Sequence, residues 1–497
     1  VKKMMQNQED FWERQRQAPL FDALQRHARQ NPHPFHVPGH KMGRSFDKEA
    51  RSFFEKYLSI DLTEITGLDD LHQPEDIIAQ AQQLAAEAYG AEDTKFLVGG
   101  TTVGNLATIM SICRPGDKII VQRNCHKSVY HGLMLAKAEP IFVVPAVDAE
   151  TGIAAGVRRE DVERLLLEHP ECKAVFLTNP TYYGMGIDLE KMATVVHRYH
   201  IPLIIDEAHG AHYGFHPDLP ASAMQSGADI SIQSTHKMGT AFTMGSMLHV
   251  QGELVDRSRL YRYLAMLQSS SPSYPLMASL DLARRHMVLE GQQELEKAIG
   301  LIEKTKERLS HFDWFTVAGW KKQTGYQTLD PLRIVINLHS TQLSGFELQT
   351  KLEEAYIYTE LAGLHHLLLL GSTGTTEMDC KRLLATVEEL SKQVRGEGLR
   401  AFETGLVSSC FLRKVAMSMH VAVDEEAESL LLEEAQGHIC AEMVIPYPPG
   451  IPMIVPGEVL DEQVISLLQE LQRREARFHG VKDATVKTIQ VIKGKHC

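Results

Sequence analysis

The chain predicts an α/β fold with a mainly parallel central sheet. Short apolar runs rich in β-branched residues alternate with longer amphipathic segments from about residue 77 to residue 233, the pattern of repeated βα units. The chain also has 497 residues, 43% of them hydrophobic and 23% charged, which is ordinary globular composition. That length supplies a large core and, at ~100–200 residues each, two to four domains.

Each element follows from local pattern. Residues 8–30 space Phe11, Leu20 and Leu24 among Gln, Arg and Glu, predicting one amphipathic helix stopped by Pro32, Pro34 and Pro38. Ile77–Tyr89 reads as helix, Phe96–Val98 as a short strand, Val103–Cys113 as helix, and Lys118–Gln122 and Pro140–Val144 as strands. Ala174–Thr178, Pro202–Ile205 and Asp229–Gln233 are strand-like, with the amphipathic Leu189–Tyr199 among them. Beyond residue 280 the long charged helix Ala283–Leu309 and the strand Arg333–Leu338 predict a smaller α/β layer. The polar Ser391–Arg400 reads as a linker, and Pro446–Gly450 as a turn in a C-terminal α+β part. The resulting division is 1–40 (helix and linker), 41–282 (large domain), 283–395 (small α/β domain) and 396–497 (C-terminal domain). No repeat of 20–50 residues and no low-complexity block is present.

The formal net charge of −13 argues against nucleic acid or an anionic membrane as partner, since phosphate binding needs a concentrated basic face. A cationic small molecule suits the charge better. Seven scattered cysteines without a CxxC pair indicate neither a disulfide framework nor a zinc ribbon, and point to the reducing cytoplasm. The opening Val-Lys-Lys-Met-Met lacks an apolar stretch after its lysines, and no run of 18 apolar residues occurs, so export and membrane insertion are not expected.

Two strand ends carry the strongest chemical signal, Pro202-Leu-Ile-Ile-Asp206 and Asp229-Ile-Ser-Ile-Gln-Ser234-Thr-His236-Lys237. Ligands collect at the carboxyl ends of parallel strands, where an acid and a lysine can converge. That pair suggests pyridoxal phosphate: the lysine forms a Schiff base and the carboxylate keeps the pyridine nitrogen protonated. Taken singly, such an Asp is more often a structural ion-pair partner and such a Lys a solvated loop residue. Gly99-Gly100-Thr101-Thr102-Val-Gly104-Asn105 offers a phosphate cradle at a helix start, without the lysine of a Walker loop or the full GxGxxG spacing. His126, just past the strand Lys118–Gln122, has the flat ring needed to stack on a cofactor, although by composition alone it is one of 24 histidines.

These strings, with Phe35-His-Val-Pro-Gly-His40, Asp61-Leu-Thr-Glu-Ile-Thr-Gly-Leu-Asp-Asp-Leu-His72, Thr178-Asn-Pro-Thr-Tyr-Tyr-Gly184 and Pro446-Tyr-Pro-Pro-Gly-Ile-Pro, resemble the Orn/Lys/Arg decarboxylase family. The resemblance runs from about residue 17 to the C-terminus and is to the short form, without an N-terminal wing domain. It implies fold type I, aspartate aminotransferase-like, and decarboxylation of arginine, lysine or ornithine in the cytoplasm, in polyamine biosynthesis.

By resemblance, Lys237 is the Schiff-base lysine, with His236 before it and Ser234 donating to the phosphate. Asp206 partners the pyridinium, His126 stacks on the ring, and Ala208 lies against its other face. Thr101 and Thr102 match phosphate-binding hydroxyls. Ser269 and Ser270 fall where the family sends a hydroxyl to a partner subunit's phosphate, which implies a homodimer or higher oligomer with shared active sites. His209 stands where some long-form members have tryptophan. His236 and Lys237 are candidates for returning a proton to Cα. The substrate's distal cation calls for an acid or aromatic face, with Glu64, Asp69, Asp70 and Glu458 as candidates.

Three other readings compete. An aminotransferase or aldolase-type lyase would clamp a substrate carboxylate with arginine, for which Arg333 is available. A metal-dependent hydrolase would use Asp206, His209 and His212. A chain that had lost activity would act as a binding subunit, against which stands the joint presence of Lys237, Asp206 and His126.

Overall fold

Pro19 divides the N-terminal segment into two helices, Lys2–Gln15 and Pro19–Arg29, where a single helix over 8–30 was expected. Proline has no backbone N–H to continue a preceding helix but fits the first turn of a new one. The carbonyls freed at the break are taken by the buried Arg284 guanidinium, which donates to Gln15 O and Gln17 O at 2.6 Å each. Asp281 completes the joint, accepting from Arg284 at 2.6 Å and from Leu20 N at 3.1 Å.

The computed structural model describes residues 2–148, 151–319, 325–339, 343–394, 411, 413–446, 450–473 and 476–496. The chain forms two compact units, Val1–Ile112 with His200–Glu294 and Cys113–Tyr199 with Leu295–Cys497.

In the first unit four strands lie side by side in the order Asp93–Leu97, Ser246–Val250, Ile230–Gln233 and Leu203–Asp206. The last two are parallel, with Asp206 opposite Ile232, and Ser246–Val250 runs antiparallel to both of its neighbours. That antiparallel strand is the one the sequence pattern did not mark. Helix Gly100–Ile112 packs closely on this sheet at Gly104, where a Cβ would lie 2.7 Å from Ile232 Cγ2 and 2.9 Å from Leu97 Cδ1. The core joins Leu20 and Leu24 to Ile78, Ala81 and Ala85 of helix Ile77–Tyr89 and to Met277 and Leu280 of helix Tyr274–Leu289. The single helix expected over Ala283–Leu309 is two, Tyr274–Leu289 and Gly291–Leu309. Ser273 caps the first by accepting from Leu276 N. A Cβ at 291 would lie 2.6 Å from Met287 Sδ, so the flexible Met287 side chain would have to shift to admit one.

The second unit contains three parallel strands, Val175–Thr178, Lys118–Gln122 and Glu139–Val143. With Ile204 opposite Ile230 in the first unit, most pairs between these short buried strands are parallel, as predicted. Helices Lys127–Ala136, Arg159–Glu168 and Leu189–His197 follow strands, and only the last was marked in sequence. An antiparallel sheet of four strands contains Arg333–Leu338. Farther along, Ala427–Leu431, Thr488–His496 and His438–Cys440 form an antiparallel sheet whose core includes Leu468 and Leu471 of helix Glu462–Arg473. This is the α+β texture expected of the C-terminal part. Residues 395–400 of the expected linker and 447–449 of the expected turn lie outside the described residues.

Candidate active site

Asp206 is buried at the end of its strand, and its carboxylate accepts from Asn105 Nδ2 at 3.0 Å and from Ala208 N at 3.1 Å. Burial pushes this carboxyl above the ordinary aspartate range, while the Asn105 amide, the charge of Lys237 and the Ala208 N–H pull it back toward the anion. Ile232, opposite Asp206, lies two residues before Ser234, which precedes the short helix Thr235–Met238 carrying Lys237. The convergence of acid and lysine at adjacent parallel strand ends is therefore present within one unit.

Lys237 Nζ stands 2.9 Å from His209 Nε2. An ammonium donates there to an imidazole, so His209 accepts a proton held by Lys237. His236 is tied to the loop behind it, its N donating to Gly245 O at 3.1 Å and its Nδ1 lying 3.1 Å from the same oxygen.

The cradle forms where strand Asp93–Leu97 turns through Val98 and Gly99 into helix Gly100–Ile112. Gly100 adopts φ 72°, a left-handed conformation that glycine takes without strain. Thr101 Oγ1 and the buried Ser234 Oγ are 3.1 Å apart, so both hydroxyls sit at this helix N-terminus, where backbone N–H groups and the helix dipole favour an anion. Thr102 is on the exposed side. A phosphate, a protonated ring nitrogen and an aldehyde thus each find a matching group here: paired hydroxyls at a helix start, a buried carboxylate and an amine. The donor set fits pyridoxal phosphate.

Other expected residues are described by the contacts each makes within its own unit. His126 belongs to the second unit, where it caps helix Lys127–Ala136 and sits 2.8 Å from Ser128 Oγ. Ser269 and Ser270 are exposed; Ser269 O accepts from His72 Nε2 at 2.8 Å. Asn124, two residues before His126, and Thr178, from a quoted motif, line a cavity of about 680 Å³ in the second unit with Thr181, Tyr182 and Tyr183. His40 Nε2 and Asp61 Oδ2, from two more, form a 3.1 Å pair.

The four acids proposed for a substrate cation fare differently. Glu458 is buried and accepts from Arg123 Nη2 at 3.1 Å through both oxygens and from Val455 N at 2.9 Å, so its charge is spent inside the protein. Asp69 accepts the backbone N–H groups of Glu75, Asp76, Asp70 and Ala79, which hold its carboxyl down despite partial burial. Asp70 accepts from His72 N. Glu64 Oε2 accepts from Thr63 Oγ1, while its Oε1 is buried without a hydrogen-bond partner. Arg333 pairs with Asp330 at 3.2 Å with both side chains fully buried, which removes it as a carboxylate clamp. Asp206, His209 and His212 do not form a converging metal-ligand group among the described residues.

Sequence reasoning quoted Asn105 without giving it a role. Its spacing of four from Thr101, one helical turn, is the signal that places it on the same face.

Comparison with known proteins agrees with this geometry. The family described as Orn/Lys/Arg decarboxylase, major domain, matches residues 18–379, and the C-terminal domain of the same family matches residues 404–493. An arginine decarboxylase of Bacillus subtilis is 39% identical over 96% of this chain and 98% of its own length. A lysine decarboxylase of Pseudomonas aeruginosa, LdcA, is 25% identical over 91% of this chain and 75% of its own. Among solved structures, the lysine decarboxylase LdcF of Francisella novicida superposes with a TM-score of 0.83 over 96% of this chain and 81% of its own, at 24% identity.

Proposed function

The chain belongs to the Orn/Lys/Arg decarboxylase family, carboxy-lyases that act on basic amino acids, and from that premise we propose that it decarboxylates arginine with pyridoxal 5′-phosphate held by Lys237 and Asp206. The observation that carries the reading is the buried Asp206, fixed by Asn105 and within the field of Lys237 at the neighbouring strand end. Arginine is favoured over lysine and ornithine because relatives named arginine decarboxylase match at 38–39% identity and those named lysine decarboxylase at 25%.

The residues divide the work. Bound there, the cofactor supplies an electron sink for the pair left at Cα when carbon dioxide departs. Asp206 keeps the ring nitrogen charged, and Thr101 and Ser234 hold the phosphate, with Thr102 completing the donor set. His209 takes the proton that Lys237 Nζ must lose before its lone pair is free for an aldehyde carbon. His236 or Lys237 returns a proton to Cα. Ala208 and His126 keep the ring-face roles their motifs imply.

The reading includes a homodimer. Phe35 (97% exposed), Phe53 (84%), Val37 (63%) and Phe242 (50%) leave the first unit with large apolar side chains in solvent, a feature of surfaces that pair. Ser269 and Ser270, exposed, keep the proposed role at a partner's phosphate. A cytoplasmic home is supported by Cys113, Cys125, Cys172, Cys380 and Cys440, all buried and none in a disulfide. The interval between the two family matches supports a C-terminal domain beginning near residue 396.

The test is to supply arginine, lysine and ornithine separately to cofactor-loaded protein and measure carbon dioxide and amine. Agmatine from arginine, and loss of borohydride-fixable cofactor in Lys237→Ala, are expected. A keto acid product, or unchanged fixation in Lys237→Ala, refutes the reading.

A further inference from the structure

Two consecutive acids end the Leu203–Asp206 strand region, and successive residues of extended chain face opposite ways. Asp206 meets Asn105. Glu207, fully buried, enters a row of polar side chains on the other face. Its Oε2 accepts from Ser231 Oγ at 2.7 Å and Gln233 Nε2 at 2.8 Å, and its Oε1 from Ala223 N at 2.8 Å. Gln233 Oε1 lies 3.1 Å from His249 Nε2, and His249 Nδ1 lies 2.8 Å from Thr94 Oγ1. Thr94 and His249 are register partners, as are His249 and Ser231, so the row crosses all four strands of the unit.

The row has a direction. Burial drives the His249 ring down to about 3, so it is neutral and carries one N–H. Ala223 N and the Gln233 amide can only donate to Glu207, because Gln233 Oε1 already faces His249. The neutral imidazole then donates from Nε2 to Gln233 and accepts from Thr94 at Nδ1. In this orientation both oxygens of Glu207 accept, although burial raises its carboxyl to about 7.

A fold gains little net stability from such a device, since an apolar set of equal volume would serve. Its placement is more telling. Glu207 N also donates to Ile232 O at 3.0 Å, so main chain and side chain of one residue both grip the strand Ile230–Gln233. Asp206 immediately precedes Glu207, and Lys237 follows Gln233 by four residues.

We propose that Glu207 is a positioning residue: its carboxylate clamps the strand end bearing Asp206 to the strand end bearing Lys237, and so fixes the span that the cofactor must bridge between acid and amine. The inference rests on the function proposed above for those two residues.

Glu207→Gln keeps the shape but turns an N–H₂ toward the Gln233 amide. Cofactor affinity, measured by equilibrium dialysis, is expected to fall about tenfold, and kcat by at least about tenfold with KM within about twofold. The double variant Glu207→Gln with Gln233→Glu restores an amide facing a carboxylate, and is expected to recover both to within about threefold. Ser231→Ala removes one donor only and is expected to weaken cofactor binding about threefold, which keeps the test alive if Glu207→Gln does not fold. A Glu207→Gln protein that melts earlier without cofactor, yet binds cofactor and turns over like wild type, overturns the proposal. So does a double variant no better than the single one, or a Ser231→Ala protein indistinguishable from wild type in cofactor affinity. Wild-type protein that fails to bind the cofactor at all sinks instead the reading on which the proposal stands.

Discussion

Glu458→Gln separates a structural acid from a substrate ligand. Arg123 and Glu458 have side-chain exposures of 0% and 2%, and the guanidinium also donates to Tyr130 Oη at 2.6 Å and to Pro452 O at 3.0 Å. Removing one charge leaves a buried guanidinium uncompensated, at a cost of about 3–5 kcal/mol. At about 2–4 °C per kcal/mol, melting of the second unit should fall by roughly 6–20 °C. Calorimetry reads that shift, and steady-state kinetics on arginine read the rest. Because the charge is spent on Arg123, KM for arginine in the protein that remains folded should stay within about twofold of wild type. A double variant, Arg123→Met with Glu458→Leu, should regain only part of the loss, since the Pro452 and Met453 carbonyls then lose their donor. An unshifted melting temperature together with an about tenfold rise in KM would show that Glu458 binds the substrate cation.

Three further outcomes follow from the geometry. Asn105→Ala deletes the amide donor to Asp206 and should cost about 1–3 kcal/mol in the transition state, seen as a roughly 5- to 150-fold fall in kcat; a change under twofold would contradict it. Gly104→Ala must push Ile232 or Leu97 aside, so urea denaturation should register about 1–3 kcal/mol of lost stability, and none if the helix can lift freely from the sheet. His249, lowered by burial to about 3, binds fewer protons folded than unfolded between its ordinary value of 6.5 and about 3. Stability contributed by keeping it neutral is complete above that window and lost as pH falls through it, by up to about 4–5 kcal/mol. His249→Gln should flatten this slope in acid unfolding curves, and an unchanged slope would count against the assignment.

Sequence alone marked the candidate pair because strand ends are local features: Asp206 closes one short β-branched run and Lys237 follows another by four residues. Helix interruptions were less visible. Pro19 and Gly291 sit inside unbroken amphipathic patterns, and at the first break a tertiary partner, Arg284, collects the loose carbonyls. The strand Ser246–Val250 is buried throughout and lacks the alternation that marks a half-exposed strand. Glu458 looked available beside a Pro-Gly turn because its partner Arg123 lies 335 positions earlier. Glu207 carried no signal of its own, being overshadowed by the acid before it. Only the register that sets Ser231 against His249 exposes the row.

The chain leaves the first unit after Ile112 and re-enters it at His200. During synthesis from the N-terminus, Leu20, Leu24 and the apolar face of Ile77–Tyr89 must therefore wait for Met277 and Leu280 before their core can close. At about 5–20 residues per second that delay lasts on the order of ten seconds or more, with greasy surface open to strangers throughout. Fragments cut at either crossing point would leave that core without part of its lining.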